Sequence, residues 1–160
     1  MRPRVLVAGV GNLFLGDDGF GVEVARRLAS VPLPPWVRVA DFGIRTLHLA
    51  YDLLEGAYEI TILVDATVRG DKPGTVYLIE PDMNNISSEK QPVRDAHSMS
   101  PETVFGLVRR LGGTPGRVLI VGCEPERADD VMGLSEPVKR GVDEAAKLVL
   151  EILQQEGCRQ

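Results

Sequence analysis

Apolar runs and amphipathic stretches alternate along the 160 residues, which is the pattern of a layered α/β domain. The run Ile60–Val64 carries apolar residues on both faces and suits a central strand that is covered on both sides. The pattern predicts strands at Arg4–Gly9, Val37–Phe42, Glu59–Ala66, Thr75–Glu80 and Arg117–Cys123, and helices at Gly21–Ser30, Thr46–Glu55, from Ser100 to Gly112 and from Ser135 to Gly157.

The connections between these elements indicate a mixed sheet. The turn Arg69–Gly74 is too short for a crossover helix, so we expect Thr75–Glu80 to run antiparallel to its neighbour. The polar segment Pro81–Ala96 shows no periodicity, and we expect a loop there that contacts a substrate. The sequence therefore predicts one three-layer α/β domain over residues 1–160, with about five mostly parallel strands and helices on both faces.

Composition excludes several classes of function. There are 18 Lys and Arg against 23 Asp and Glu, so the net charge is −5 and no basic face is offered to nucleic acid. No apolar run approaches the roughly 18 residues of a membrane span. The two cysteines, Cys123 and Cys158, form neither a CxxC pair nor a disulfide framework. We expect a soluble, cytoplasmic protein in a reducing compartment.

Glycines and two acids follow the first predicted strand. The spacing Gly-x-Gly-x-x-x-x-Gly over Gly9–Gly16 differs from a dinucleotide-binding loop. The carboxylates of Asp17 and Asp18 stand where a pyrophosphate would approach, which argues against a phosphate ligand. Either acid could instead cap the helix that follows, but a pair in such a glycine-rich turn favours a functional role.

Polar residues also mark the ends of later elements. Asp65 ends the third predicted strand, Asp41 lies near the end of the second, and His97 precedes a helix. Ligands gather at the carboxyl ends of strands in open α/β sheets, so we expect these residues to approach one crevice with Asp18. Asp18, Asp65 and His97 make a nitrogen and oxygen donor set that suits zinc, nickel or a similar divalent ion.

Familiar catalytic motifs are missing from the sequence. It has no GxSxG nucleophile elbow, no GxxxxGK[ST] phosphate loop and no HExxH metal motif. Cys123, at the end of a predicted buried strand, is expected in the core rather than at a nucleophile position. A metal site would therefore have to be assembled by the fold.

Five segments of the chain share their order with one protein family: Val7–Gly21, Asp41–Gly43, Val64–Ala66, Asp95–His97, and Val121–Pro125 followed by Gly133–Ser135. Together they resemble the hydrogenase maturation proteases. The resemblance implies an endopeptidase that removes a short C-terminal extension from the large-subunit precursor of a [NiFe]-hydrogenase after nickel insertion. It also implies that Asp18, Asp65 and His97 contact the metal, although some members have Glu at the first position.

Two mechanisms are compatible with this resemblance. A divalent metal, with nickel favoured, could polarise the scissile carbonyl and activate a water, while Asp17 or Asp41 accepts a proton. If the substrate supplies the nickel, an unloaded precursor could not complete the site. Alternatively, Asp18 and Asp65 could share a proton as in an aspartic protease. Many members have a Gly-Gly-Thr turn after the second-strand acid, whereas this chain has Gly43-Ile44-Arg45, which leaves the role of Asp41 open.

Three other functions remain as alternatives at this point. A docking chaperone would bind a metalloenzyme precursor without cutting it. A peptidyl-tRNA hydrolase also opens with a Gly-x-Gly-Asn turn, but it requires a basic channel and an early histidine. The net charge of −5 and the position of His48 as the first histidine disfavour that class. A nucleotide-binding module is the weakest alternative.

Overall fold

The computed structural model describes residues 4–81, 101–113, 116–127, 129 and 131–158. Five strands form one sheet in the order β2-β1-β3-β5-β4. In chain order the elements are β1 (Val5–Val10), a 3-10 turn (Gly16–Gly19), α1 (Phe20–Ala29), β2 (Val37–Gly43), α2 (Thr46–Glu55), β3 (Ile60–Ala66), β4 (Val76–Ile79), α3 (Pro101–Arg110), β5 (Arg117–Cys123) and α4 (Glu136–Cys158).

The sheet is mixed, as the sequence predicted. Strands β1, β2, β3 and β5 are parallel, and β4 pairs antiparallel with β5. The short turn between β3 and β4 accounts for this reversal, because it leaves no room for a crossover helix. The predicted α/β fold with helices on both faces is therefore confirmed.

Two apolar clusters, one on each face, hold the layers together. Helices α1 and α4 pack on the face that carries Val7 and Val64, while α2 and α3 pack on the face that carries Leu6 and Leu63. Successive strand residues alternate between these clusters, so each central strand is apolar on both faces. Within the described ranges, no helix combines the length and the apolar character needed to cross a membrane.

Glycines let α1 lie directly on the carboxyl ends of β1 and β3. A Cβ at Gly9 would overlap the backbone of Gly21, and a Cβ at Gly21 would overlap the carbonyl oxygen of Val64. Gly11 has a φ of 137°, a conformation that side chains disfavour. The glycine-rich segment thus brings the acids at positions 17 and 18 onto the carboxyl edge of the sheet.

Candidate functional site

Asp18 lies in the 3-10 turn between β1 and α1 and is partly buried. Its Oδ2 accepts a hydrogen bond from the backbone N–H of Asn12 at 2.9 Å. Burial raises the pKa of Asp18 above its usual value, and the Asn12 hydrogen bond opposes this only in part. Asp18 is therefore a partly desolvated carboxylate, a state that a bound cation or proton would relieve.

Asp65 lies near the end of β3, the middle strand of the sheet, and pairs with Gly122 of β5. Because Val64 faces α1 and α4, alternation places Asp65 on the face of α2 and α3. The position is half-buried. The end of β3 thus places the Asp65 carboxylate at the edge of the sheet where the parallel strands end, as the sequence predicted.

His97 lies outside the described residues, so its predicted role as a ligand stays a prediction. The start of the helix that follows it can be placed. A Cβ at Gly113, just after α3, would meet Leu54 near the end of α2, so α3 ends at the amino edge of the sheet. Since the last turn of α3 lies at the amino edge, its first residue, Pro101, lies toward the carboxyl edge, where Asp18 and Asp65 are found.

Asp17 is fully buried and accepts four hydrogen bonds. Its Oδ2 accepts the N–H groups of Glu126 and Arg127 and the hydroxyl of Ser135, and its Oδ1 accepts the Ser135 N–H. Burial acts to raise the pKa of Asp17, but the hydrogen bonds from Ser135, Arg127 and Glu126 outweigh it and lower that pKa. A carboxylate with both oxygens engaged is a weak base, so this geometry weighs against the predicted role as proton acceptor.

Asp41 lies on the opposite face of the sheet from Asp65. Its Oδ2 is 3.7 Å from Nε of Arg26 on α1, and its backbone carbonyl accepts a 2.8 Å hydrogen bond from Arg45. In the parallel register Asp41 pairs with Gly9, whose missing side chain faces α1. Asp41 therefore approaches the carboxyl edge from the α1 side, and its catalytic role stays a prediction.

A complete metal cage is not assembled from these acids alone. In the part of the chain that the structure describes, no three His, Cys, Asp or Glu side chains lie close enough to hold an ion together. The pair Asp18 and Asp65 would need His97, or a donor from a bound substrate, to complete a site.

Cys123, at the end of β5, is a core residue, as predicted. Burial, together with the negative charges of Asp17, Glu144 and Glu124, raises the pKa of its thiol to about 12. A buried thiol that stays protonated at neutral pH is a poor nucleophile. The structure therefore offers no cysteine mechanism at this position.

A buried acid that the sequence pattern did not indicate lies next to Cys123. Glu124 is buried, and its Oε1 accepts hydrogen bonds from the N–H of Arg69, the N–H of Asp71 and the hydroxyl of Tyr77, at 2.7–3.0 Å. These bonds fix the turn between β3 and β4. The only signal in the sequence was the segment Gly122–Pro125, which carries the acid but not its partners.

Comparisons with known proteins give a consistent result. A sequence model described as hydrogenase maturation protease matches residues 22–152, a range that includes Asp41, Asp65 and His97. A putative hydrogenase maturation protease of Methanocaldococcus jannaschii is 34% identical over 152 residues, which cover 93% of this chain and 96% of that protein. The hydrogenase 2 maturation protease of Escherichia coli K12 is 29% identical over 161 residues, covering 96% and 93%.

Solved structures agree with these relatives. The hydrogenase maturating endopeptidase HybD from E. coli superposes with a TM-score of 0.78 at 27% identity, covering 96% of this chain and 94% of that chain. A hydrogenase 2 maturation peptidase from Thaumarchaeota archaeon SCGC_AB-539-E09 gives a TM-score of 0.72 at 34% identity, covering 94% and 97%. The chain belongs to the hydrogenase maturation protease family.

Proposed function

We propose that this peptidase removes the C-terminal extension of a [NiFe]-hydrogenase large-subunit precursor once nickel has been inserted. The observation that supports the proposal is the position of two carboxylates at the carboxyl edge of the sheet in a chain of this family. Asp18 reaches the edge from the turn after β1, and Asp65 reaches it from the end of β3. The described residues offer no reactive cysteine there, since Cys123 is buried and protonated.

We further propose that Asp18, Asp65 and His97 together hold a divalent ion. Two carboxylates and one imidazole are a donor set that fits nickel or zinc and leaves room for a further ligand. When bound, such an ion polarises a scissile carbonyl and lowers the pKa of a water. The ion can be the nickel that the precursor itself carries, which would confine cleavage to loaded substrate.

The chain length between His97 and α3 supports this donor set. Four positions separate His97 from Pro101, and an extended chain spans at most about 3.6 Å per residue, or roughly 14 Å. Because α3 begins toward the carboxyl edge, a connection of this length is compatible with the proposed role of His97.

Asp41 is the better of the two candidates for accepting a proton from the attacking water. Both oxygens of Asp17 are engaged by buried donors, whereas Asp41 keeps 35% of its side chain exposed and has a loose contact of 3.7 Å with Arg26. An exposed carboxylate can receive and release a proton without breaking buried hydrogen bonds.

Mass spectrometry of a nickel-loaded precursor before and after incubation tests this function. We expect loss of a C-terminal peptide from the loaded precursor and an uncut nickel-free precursor. Full-rate cleavage of the nickel-free precursor would contradict the proposal that nickel in the precursor is required for cleavage. Full activity on loaded precursor in excess chelator would favour proton sharing between Asp18 and Asp65. An uncut precursor that is nevertheless retained in a pull-down would identify a docking protein.

A further inference from the structure

Exposed large apolar side chains concentrate at the carboxyl edge of the sheet. Over the described residues nine such side chains are exposed; five of them lie in loops that follow β1, β2, β3 or β5, and a sixth lies in the first turn of α2. Scattered exposed apolar residues are ordinary, but a cluster beside a candidate active site marks an interaction surface. The six are Phe14, Ile44, Leu47, Val68, Val131 and Met132.

Two of these segments are joined into one unit, formed by residues 11–19 together with 125–127 and 131–135. The Gly16 N–H donates to the Val131 carbonyl at 2.8 Å, and the Asp17 N–H donates to the Arg127 carbonyl at 2.9 Å. The buried carboxylate of Asp17 binds the same second segment and Ser135. This two-loop unit is therefore held by its backbone, although its apolar side chains lie in solvent.

Asn12 connects the exposed edge of the two-loop unit to the candidate site. Its side-chain oxygen accepts the N–H of Phe14 at 2.9 Å, and its own N–H donates to Asp18 at 2.9 Å. Phe14 is 66% exposed. The backbone of Phe14 is thus held relative to Asp18, and its aromatic side chain is largely exposed.

A cleft of about 400 Å³ runs between the two loops. Apolar side chains of both loops, Leu13, Met132 and Leu134, line it together with Glu23, Arg26 and Lys139. Met132 is 64% exposed at its rim. The cleft combines apolar walls with charged groups of both signs, which suits a stretch of polypeptide better than a small anion.

We propose that the two-loop unit docks the segment of the precursor polypeptide next to the cleaved bond, with apolar side chains of that segment packing on Phe14 and Met132. The proposal rests on the function proposed above. The occupant follows from position, because a peptidase must hold its chain beside the reacting carboxylates and Phe14 lies four residues from Asp18. A surface already ordered by the Asp17 and Asn12 hydrogen bonds loses little entropy on binding.

The test compares Phe14→Ser combined with Met132→Ser against Leu111→Ser. Leu111 is a matched control, since it is 54% exposed and follows α3 at the opposite edge. For the double variant we expect at least a tenfold rise in KM for nickel-loaded precursor and in Kd by titration calorimetry, with the smaller effect in kcat. Unchanged KM and Kd, or an equal rise for Leu111→Ser, would overturn the proposal.

The binding arm separates failure of this proposal from failure of the proposed function. If the wild-type protein binds the precursor without cutting it and the double variant loses binding, the docking role of the two-loop unit is supported and the peptidase function is contradicted. If the wild-type protein cuts the precursor and the double variant has an unchanged KM, only the docking proposal is contradicted. Sedimentation of both proteins adds a further check. Loss of self-association with an unchanged KM would assign the surface to contacts between copies and would overturn the proposal.

Discussion

Asp17 accepts two hydrogen bonds from Ser135, one from its backbone N–H at 2.7 Å and one from its hydroxyl at 2.8 Å, although 118 positions separate the two residues. Ser135 immediately precedes α4, so the carboxylate stands at the N-terminus of that helix, where negative charge is favoured. The neighbouring Asp18 accepts a hydrogen bond from the Asn12 N–H, and burial raises its pKa. Two adjacent acids thus differ in their surroundings: Asp17 holds two loops together, whereas Asp18 is a partly buried carboxylate at the candidate site.

We expect Asp17→Asn to lower the free energy of unfolding by about 2–4 kcal/mol. The amide replaces one acceptor oxygen with a donor among N–H groups that all need acceptors. Urea denaturation measures the change. The control is Asp52→Asn, which weakens a partly exposed ion pair with Arg38 and should cost less than about 1 kcal/mol. Equal losses for both variants would contradict this account of Asp17.

Ser135→Ala should lower the free energy of unfolding by about 1 kcal/mol, because it removes the hydroxyl donor and keeps the backbone N–H. Ser135→Thr retains a hydroxyl and should restore most of the loss. Asp17 and Ser135 belong to one hydrogen-bond network. The Asp17→Asn, Ser135→Ala double variant should therefore lose less unfolding free energy than the sum of the losses of the two single variants. A double-mutant cycle in urea measures this coupling, and strict additivity would show that the two residues act independently.

The stability of the protein should fall in acid through Glu124. The hydrogen bond from Tyr77 is the main cause that lowers the pKa of Glu124, against the opposing effect of burial. A carboxyl group whose pKa is lower in the folded than in the unfolded state stabilises the fold at pH values above its unfolded pKa of about 4.3. This stabilisation is lost as the pH falls through the folded-state pKa. Tyr77→Phe should raise the pKa of Glu124 and make the acid dependence shallower.

Urea midpoints between pH 7 and pH 3 provide the measurement for Tyr77→Phe. Tyr51→Phe serves as the control, since Tyr51 is exposed on α2. The account requires a shallower acid slope for Tyr77→Phe and the wild-type slope for Tyr51→Phe. Identical slopes in all three proteins would show that Glu124 does not govern acid stability.

Gly11→Ala should disturb both folding and precursor cleavage. A Cβ at Gly11 would overlap the carbonyl oxygen of Asp18, so the turn that carries Asp18 would have to move. Gly112→Ala is the matched control, because Gly112 also has a positive φ, 89°, but nothing lies within 4 Å of its added Cβ. The control should lose only the roughly 1–2 kcal/mol of a left-handed backbone. Cleavage as fast in Gly11→Ala as in Gly112→Ala would contradict the positioning of Asp18 by this turn.

Local patterns predicted the fold well because they reflect local physics. The apolar runs fix the strands, and the short turn before β4 fixes its direction. The placement of Asp18 and Asp65 followed from the rule that parallel strands end at one edge. The partners of Asp17 could not be predicted, because Glu126 and Ser135 meet it only after β5 has joined the sheet.

The side of the sheet taken by Asp41 shows the same limit. The sequence places Asp41 near the end of β2, but its register with β1 shifts between Gly9 and Val10. Asp41 pairs with Gly9 just before that shift, which places it on the α1 side, 3.7 Å from Nε of Arg26. Such details depend on packing between elements, whereas hydrophobic periodicity reports only which positions are buried.

The most direct test of the central claim is the rate at which nickel-loaded precursor loses its C-terminal peptide with each site variant. Asp18→Asn, Asp65→Asn and His97→Ala are compared with wild type and with the surface control Asp52→Asn. The account predicts a loss of at least about a hundredfold for each of the three site variants, while the control stays within about twofold. Cleavage by Asp18→Asn or Asp65→Asn at the wild-type rate would contradict the assignment of the carboxyl edge as the catalytic site.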